Sequence, residues 1–403
     1  MVPGKAQLIG SWSGSARAGS PPRRRASPPP RARTVFISAG ESSGDLHGGM
    51  LATELRKLDG SIRLLGLGGS RMREAGVRLL ADLDRLAVMG ISEVAAHLPY
   101  LFRLRRRVRR RLLQERVDLL IPIDYPGFNL PLAGFARRHA IPVLYYVAPQ
   151  VWAWRETRAR RLAAVTDLVC AIFPFEVGLL ARYGAEVRFV GHPLLDVADD
   201  HGADTPSRRA EPGPPTLALF PGSRPHEVRR MLPNFLDAAR RVREVRPEVR
   251  IVVGRASHLS GAFYREAGFC RVDTAARAIE GATAALCKSG TVTLELALAG
   301  VPMVVGHRLS PLTYAIARGL VKVEHVSLVN LVAGQRLVPE LLQHEMSPRG
   351  LADGVLPFLE PGSTDRKRVV EGLVGVRERL GTPGCARRVA EHAAGLLAAR
   401  SRR

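Results

Sequence analysis

Short apolar runs alternate with segments of helical character from Thr34 onward. The first run, TVFISAG, precedes GDLHGGMLATELRKL, in which apolar residues recur at the spacing of one helix face. The later runs VDLLIPID and IPVLYYVAP are each followed by a helical segment as well. Strands that are apolar throughout are typical of a parallel sheet covered by helices on both faces. The first half of the chain is therefore predicted to be a doubly wound α/β domain.

A second alternating series begins after a polar segment that is rich in proline and glycine. This segment, residues 198–215, is the predicted linker. With 403 residues, the chain is long enough for two domains. We expect a Rossmann-like domain over residues 34–197, a second over 216–365, a cleft between them, and helices over 366–403.

The composition narrows the class of partner. A formal net charge of +23 favours nucleic acid, an anionic membrane surface or a phosphorylated substrate. The four cysteines are scattered, which argues against a zinc site or a disulfide framework and fits a reducing cytoplasm. No apolar run reaches the roughly 18 residues that a membrane span needs. Residues 1–33 are rich in Pro, Ser, Gly and Arg and contain no acidic residue, so we expect a disordered basic extension.

The turn after the first predicted strand, AGESSGDLHGG, has two interpretations. It lacks both the dinucleotide fingerprint GxGxxG and the glycine–lysine pattern of phosphate loops. Glu41 and Asp45 place negative charge in it, which opposes a bound phosphate. The turn is either a tight structural turn with a helix-capping Asp, or a loop facing the cleft. In the second case Glu41 binds sugar hydroxyls or helps to deprotonate one.

The stretch LFPGSRPHEV is a better phosphate site. It follows a predicted strand and leads into a helix. Gly222 lets the backbone approach a ligand, Ser223 continues the turn, and Arg224 offers a planar guanidinium suited to phosphate. The free N–H groups of the helix start add to this attraction. The alternative is an ordinary surface arginine in a loop.

The stretch CKSGTVTLELALAG is the second candidate for the same ligand. Ser289, Gly290 and Thr291 stand at a predicted helix start, where their hydroxyl and amide groups can bind a diphosphate. Glu295 lies four residues after Thr291, on the same helix face one turn along. A carboxylate there suits the two hydroxyls of a ribose. The alternative is a structural helix cap with a satisfied glutamate.

Asp124 ends the predicted strand VDLLIPID. An acid at the carboxyl end of a parallel strand is well placed to face the cleft, where it can act as a general base toward an acceptor hydroxyl. The alternative is an Asp that caps the helix starting near Asn129. The pattern DLD at residues 82–84 recurs often by chance and no strand clearly precedes it, so no metal site is predicted.

Residues 101–116 form a predicted amphipathic helix with eight arginines. Its polar face includes Arg103, Arg106, Arg107 and Arg110, which we expect to meet an anionic membrane. Binding of RNA is disfavoured because aromatic stacking residues are not interleaved. A merely solvated face is the alternative.

Trp152 and Trp154 occur close together in YYVAPQVWAWRETRARR. They either belong to the core or provide a flat platform for a sugar ring. We assign them, with the basic helix, to the acceptor and membrane side of the molecule.

Together these stretches resemble the lipid-A-disaccharide synthases, bacterial glycosyltransferases of lipid A assembly. The matching stretches occur in family order over about residues 34–345 and are AGESSGD, GLGG, MGISEV, IDYPGFN, YYVAPQVWAW, FPFE, FVGHP, LFPGSRPHEV, SGTVTLE, PMVVGHR, VSLVNLVAG and VPELLQ. Their combination is highly specific, although single pieces are not. Residues 1–33 lie outside the resemblance.

The resemblance implies a GT-B fold, with acceptor chemistry in the first domain and the sugar nucleotide mainly in the second. It implies an inverting transfer that joins UDP-2,3-diacylglucosamine to 2,3-diacylglucosamine 1-phosphate (lipid X). The products are UDP and the β-1,6 lipid A disaccharide 1-phosphate, and neither metal nor cofactor is implied. The implied location is peripheral, on the cytoplasmic face of the inner membrane. Family members can also exchange C-terminal helices in a homodimer.

The resemblance also assigns roles to matching residues. Asp124 is the implied base with Glu41 in support, and Arg224 matches an arginine near the diphosphate. The other implied UDP-sugar residues are Gly222, Ser223, Ser289, Gly290, Thr291, Glu295 and Asn330 of VSLVNLVAG. Members often carry a second Asp where this chain has Gly127, so that carboxylate cannot be essential here.

Two other functions remain open from the sequence. One is a different UDP-sugar protein on the same fold, such as another transferase or a UDP-N-acetylglucosamine epimerase. Activity toward the lipid substrates distinguishes a lipid-A-disaccharide synthase from these proteins. The other is a basic RNA- or membrane-binding protein without catalysis. That function leaves the glycine turns after the strands unexplained.

Overall fold

The strands that the structure describes form two separate parallel sheets, as the apolar runs predict. The computed structural model describes Met1 and residues 31–82, 94–149, 156–200, 213–308 and 324–401. The predicted extension over residues 1–33 falls almost wholly outside the described residues, as do Trp152 and Trp154.

The first sheet has seven strands in the order β3-β2-β1-β4-β5-β6-β7. Its strands are β1 (Thr34–Ala39), β2 (Arg63–Gly68), β3 (Arg78–Asp82), β4 (Leu119–Ile123), β5 (Leu144–Tyr146), β6 (Leu168–Ala171) and β7 (Val187–Phe189). The helices that accompany it are α1 (Ser42–Leu58), α2 (Ser70–Glu74), α3 (Val94–Gln114), α4 (Pro126–Arg138), α5 (Glu156–Val165), α6 (Pro174–Ala181) and α7 (Leu194–Asp200).

The second sheet has six strands in the order β10-β9-β8-β11-β12-β13. Its strands are β8 (Thr216–Phe220), β9 (Arg250–Arg255), β10 (Arg271–Thr274), β11 (Ala284–Lys288), β12 (Met303–His307) and β13 (Glu340–Leu342). Its helices are α8 (Pro225–Val245), α9 (Ala275–Glu280), α10 (Val292–Leu298), α11 (Leu328–Ala333), α12 (Pro348–Leu359) and α13 (Thr364–Arg379), and a 3-10 helix spans Gly261–Ala267.

Side chains of β1 enter the core on both faces of the first sheet. Val35 and Ile37 pack in the cluster that contains Leu51 of α1, whereas Phe36 packs with Val108 of α3 on the opposite face. All six residues of β1 are buried. This two-sided burial explains why the strand is apolar at every position.

In each sheet the chain adds strands first on one side of the first strand and then on its other side. In the first sheet β1 lies between β2 and β4, and in the second β8 lies between β9 and β11. Ligands of open α/β sheets bind at such switch points, beyond the carboxyl ends of the strands. The turns after β1 and β4 carry Glu41 and Asp124, and the turn after β8 carries Arg224. The candidate residues therefore follow the strands at which a ligand is expected.

Three strands at the sheet edges were not expected from the apolar pattern. β3, β10 and β13 are short and are largely exposed or only partly buried. Asp82 is the last residue of β3, so a strand does precede the DLD pattern, contrary to the sequence-based expectation. Its carboxylate pairs with Arg73.

The last described helix, α14 (Cys385–Ser401), returns to the first sheet. It packs against α1 and β4, whereas α13 packs against α10 and α11 of the second half. Asp196 of α7 accepts hydrogen bonds from the amides of Gly384 (2.6 Å), Cys385 (3.0 Å) and Ala386 (3.1 Å). A carboxylate from the first half thus caps the start of α14. None of the described helices is long and apolar enough to cross a membrane.

We expect Asp196→Ala to lower the free energy of unfolding by about 1–3 kcal/mol, because it removes three hydrogen bonds to one carboxylate. Urea denaturation followed by circular dichroism measures the change. The matched control is Asp353→Ala, which removes an exposed carboxylate paired only with Arg349 and should cost well under about 1 kcal/mol. Equal losses in the two variants would show that Asp196 does not fix the last helix.

Candidate functional site

Asp124 follows β4 in an unusual backbone conformation. Asp124 and Tyr125 both have positive φ angles, 44° and 49°. Two consecutive non-glycine residues in this region are strained, and such strain persists only where surrounding contacts hold it. The Asp124 amide donates to the carbonyl of Tyr146 (3.1 Å). Its carbonyl accepts from Asn129 Nδ2 (2.8 Å) and from the Tyr145 hydroxyl (2.7 Å), so both backbone groups are anchored.

Asn129 is the anchor that joins the ends of the two central strands. Its side chain is fully buried in the first turns of α4. Nδ2 also donates to the carbonyls of Ser38 (3.1 Å) and Ile123 (3.2 Å), and Oδ1 accepts from the Ser38 hydroxyl (2.7 Å). The sequence indicated only a helix start near this residue, and its positioning role was missed. A polar residue in an otherwise apolar stretch was the one available signal.

The carboxyl group of Asp124 is electrostatically unusual. Burial, followed by the negative charge of Glu41, raises the pKa of Asp124 to about 6, against the opposing effect of a hydrogen bond from the Tyr125 amide. Glu41 is exposed at the start of α1 and its side chain makes no capping hydrogen bond. The structure therefore brings the two predicted acids into electrostatic contact. Asp124 is not the cap of α4, which begins at Pro126 after Tyr125.

The other acid of the first turn has a structural role. Asp45 accepts hydrogen bonds from the amides of Gly69 (2.6 Å), Arg71 (3.0 Å) and Met72 (3.1 Å). It therefore caps α2, the next helix, although it lies in the first turn of α1. The helix-capping interpretation of this turn holds for Asp45, and Glu41 remains exposed to the solvent.

A close contact fixes the two turns of the first sheet against each other. A Cβ atom on Gly40 would lie 2.2 Å from the ring of Tyr125. Only glycine at residue 40 therefore allows this ring to pack on the turn that carries Glu41. A Cβ atom on Gly127 would meet nothing within 4 Å.

The turn after β8 binds a carboxylate of the protein itself, that of Glu227. Gly222 has φ +120°, and a Cβ atom there would lie 2.7 Å from Glu227 Oε2. Glu227 Oε2 accepts from the amides of Ser223 (3.1 Å) and Arg224 (3.3 Å). These two amides are therefore engaged by a capping carboxylate of the same helix. Pro225 begins α8, where its missing N–H costs nothing.

Two cations flank that carboxylate. The Arg224 side chain is 61% exposed and its Nη1 lies 3.7 Å from Glu227 Oε1. Lys288, the last residue of β11, places Nζ 3.0 Å from the same oxygen. No role was predicted for Lys288, which lies within the stretch CKSGT. Its position directly before the Ser289 turn was the available signal.

The turn after β11 is partly tied down and partly open. The Ser289 hydroxyl donates to the carbonyl of Val326 (2.9 Å), whereas Thr291 is exposed and a Cβ atom on Gly290 would meet nothing within 4 Å. Burial raises the pKa of Glu295. Its carboxylate makes no hydrogen bond or ion pair with another described residue, so the satisfied-glutamate alternative does not describe this side chain.

Asn330 does not fit the predicted role of direct ligand contact. The side chain is fully buried in α11. Nδ2 donates to the Val338 carbonyl (2.9 Å) and to Glu340 Oε1 (2.8 Å), and Oδ1 accepts from the Val338 amide (3.0 Å). Because every polar atom of this amide group is engaged within the protein, Asn330 acts by positioning.

The hydrogen bonds around Asn330 extend through the backbone of Val326 to Ser289 in the predicted UDP turn. Glu340 is buried and accepts from the Ser327 hydroxyl (2.5 Å), the Ser327 amide (2.9 Å) and the Val326 amide (2.9 Å). Val326 in turn accepts from Ser289 (2.9 Å). The buried amide and carboxylate therefore hold the segment on which Ser289 rests.

The basic helix has the two faces that its pattern predicts. Leu104, Val108 and Leu112 are buried against the first sheet. The opposite face carries exposed residues, which include Arg103, Arg106, Arg107, Arg110 and the 57% exposed Phe102. Among the described residues, no cluster of His, Cys, Asp and Glu side chains could hold a metal ion.

Two Rossmann-like domains, each with candidate residues at its switch point, define the GT-B fold. Solved structures support the fold. A UDP-GlcNAc 2-epimerase from Neisseria meningitidis, bound to UDP-GlcNAc, superposes with a TM-score of 0.59 at 11% identity, covering 90% of this chain and 100% of that one. The glycotransferase of kitacinnamycin gives 0.58 at 17% identity, covering 91% and 100%.

Sequence comparison identifies the family within that class. Residues 35–380 match the family model described as lipid-A-disaccharide synthetase. A lipid-A-disaccharide synthase from Geobacter sulfurreducens is 42% identical over 367 residues, covering 88% of this chain and 95% of that protein. The chain belongs to the lipid-A-disaccharide synthetase family. It is a glycosyltransferase of lipid A disaccharide formation, and the predicted family and GT-B fold are confirmed.

We expect Asp124 to titrate near pH 6 and Glu41→Gln to lower that pKa, because removing a neighbouring negative charge favours the ionised carboxyl. Carboxyl ¹³C NMR measures the titration, and Asp124→Asn identifies the resonance. The control is Glu74→Gln, an exposed acid on α2 that should leave Asp124 unchanged. An Asp124 pKa near the ordinary value of about 4 would contradict the electrostatic account.

Proposed function

We propose that this chain joins UDP-2,3-diacylglucosamine to 2,3-diacylglucosamine 1-phosphate, releasing UDP and forming the β-1,6 lipid A disaccharide 1-phosphate with inversion. The observation that carries the proposal is Asp124, an acid of raised pKa anchored at the switch point of the first sheet. Membership of the family supports the lipid A disaccharide as the product.

Asp124 is the proposed general base. With a pKa of about 6 it is ionised near neutral pH, yet it holds a proton more strongly than an ordinary aspartate. It takes the proton of the acceptor 6-hydroxyl while that oxygen forms a bond to the anomeric carbon. The bond from the anomeric carbon to the diphosphate breaks on the opposite face, and UDP leaves with the electron pair. Glu41 raises the basicity of Asp124 through its charge.

The second domain is the proposed donor site. Arg224, which is largely exposed, neutralises charge that grows on the leaving diphosphate. The open turn at Gly290 and Thr291 lies beside the same ligand, with the Ser289 hydroxyl held by the Val326 carbonyl. Glu295, whose carboxylate binds no described residue, accepts hydrogen bonds from the ribose hydroxyls.

The exposed face of α3 is the proposed membrane contact. Both substrates carry acyl chains, so the enzyme must meet them at a lipid surface. Arg103, Arg106, Arg107 and Arg110 supply positive charge toward anionic lipids, and Phe102 adds an exposed apolar group. The cytoplasmic face of the inner membrane is the proposed location.

We expect Asp124→Asn to lower the turnover number by about 10²–10⁴-fold and to leave the dissociation constant of UDP unchanged, because it removes the base and keeps the shape. Mass spectrometry of the disaccharide product measures turnover with the two lipid substrates. The wild-type kcat/KM should fall as the pH drops through about 6 and Asp124 becomes protonated.

The matched control is Asp118→Asn, an acid that lies one residue before the same strand, at its opposite end. Turnover close to wild type in Asp124→Asn would overturn the assignment of the base. A folded wild-type chain that binds UDP but forms no disaccharide would overturn the proposed acceptor.

Replacing Arg103, Arg106, Arg107 and Arg110 by alanine should strongly weaken binding to vesicles of phosphatidylethanolamine and phosphatidylglycerol, because each lost arginine near an anionic surface removes about 1 kcal/mol. Vesicle sedimentation measures this binding. The control replaces four exposed arginines elsewhere, Arg241, Arg265, Arg349 and Arg368, with the same loss of charge. Equal losses in the two variants would reject α3 as the contact.

A further inference from the structure

Lys288 lies where the two donor turns of the second domain meet. It is the last residue of β11 and directly precedes Ser289. β11 pairs with β8, so the turn that follows β8 is adjacent. The Lys288 side chain reaches that turn, where Nζ lies 3.0 Å from Glu227 Oε1. One ammonium group thus links the turn of Arg224 to the turn of Ser289.

The backbone of the Arg224 turn offers little to a phosphate. The amides of Ser223 and Arg224 both donate to Glu227 Oε2. Pro225 has no N–H, and the Glu227 amide donates to the Arg224 carbonyl. These three amides are engaged within the protein, so side-chain cations are the stronger candidates to hold a phosphate here.

Few charged groups are available for that task among the described residues of the two turns. Burial, followed by the positive charge of Lys288, lowers the pKa of His307 to about 4, so this neighbour is neutral near pH 7. Arg224 and Lys288 remain. Lys288 is 22% exposed whereas Glu227 is only 10% exposed, so the ammonium is the more accessible partner of this ion pair.

An ammonium group has three N–H donors, and the contact with Glu227 uses one of them. The other two can bind phosphate oxygens without breaking the pair. We propose that Lys288 binds the diphosphate of the sugar-nucleotide donor, with Glu227 holding the ammonium between the two turns. This inference rests on the proposed function, and it adds a ligand residue that neither the sequence pattern nor the resemblance assigned.

The test compares UDP with uridine, which lacks the phosphates. Lys288→Met should weaken UDP binding by about ten- to a hundredfold, the range of a hydrogen bond to a charged group. Uridine binding should not change. Isothermal titration calorimetry measures both. The control is Lys57→Met, which removes another ion-paired lysine from α1 and should leave UDP binding unchanged.

Removing Lys288 alone leaves the Glu227 carboxylate without its nearest cation, which can disturb folding. The second variant pair avoids this problem. Glu227→Gln keeps an oxygen for the Ser223 and Arg224 amides, and Glu227→Gln with Lys288→Met removes both charges together. If Lys288 binds phosphate, the double variant binds UDP about ten- to a hundredfold more weakly than Glu227→Gln alone.

Equal UDP affinities in those two variants would overturn the proposed phosphate contact of Lys288. They would show that Lys288 only neutralises the charge of Glu227. A parallel loss of uridine binding would also overturn it, since the effect would then not depend on phosphate. Both results leave the proposed function intact if the wild type still makes the disaccharide. A wild-type chain that binds no UDP would overturn the donor assignment itself, and this inference with it.

Discussion

The hydrogen bonds of the buried Asn129 side chain are the interaction on which the candidate site of the first domain depends. It bonds to the backbone at the ends of β1 and β4 and to the strained Asp124. Backbone carbonyls at the ends of parallel strands normally need solvent or a helix start as partners. Here one side-chain amide donates to three of them, the carbonyls of Ser38, Ile123 and Asp124, so two strands that are distant in sequence end in one fixed arrangement. The separation and pKa of the two acids follow from that arrangement.

The donor site proposed for the second domain has a different requirement, because its ligand must both bind and leave. Glu227 accepts from the amides of Ser223 and Arg224 in the turn after β8. In the proposed donor site, recognition then falls to the side-chain cations Arg224 and Lys288. The proposed acceptor side is thus acidic and anchored through its backbone, whereas the proposed donor side relies on positively charged side chains.

The sequence predicted the parallel sheets and the turns at their switch points because apolar runs and glycine turns are local patterns. It could not predict which strands are neighbours, and the roles of Asn129 and Lys288 depend on that. Asn129 matters because β4 lies beside β1, and Lys288 because β11 lies beside β8. The resemblance singled out Asn330, but only the structure shows that its amide group is wholly engaged within the protein. Whether a polar side chain is buried depends on the fold, and no local sequence pattern predicts it.

The return of α14 to the first sheet has a consequence for biosynthesis. The face of that sheet covered by α1 also needs residues 385–401, which the ribosome makes only after the whole second sheet. A growing chain can therefore assemble β1 to β7 early, yet one apolar surface stays open until the last helix emerges. The first domain therefore becomes complete only after the second sheet has been made, although domains generally fold as units from the N-terminus. The late helix closes a loop of nearly the full chain length.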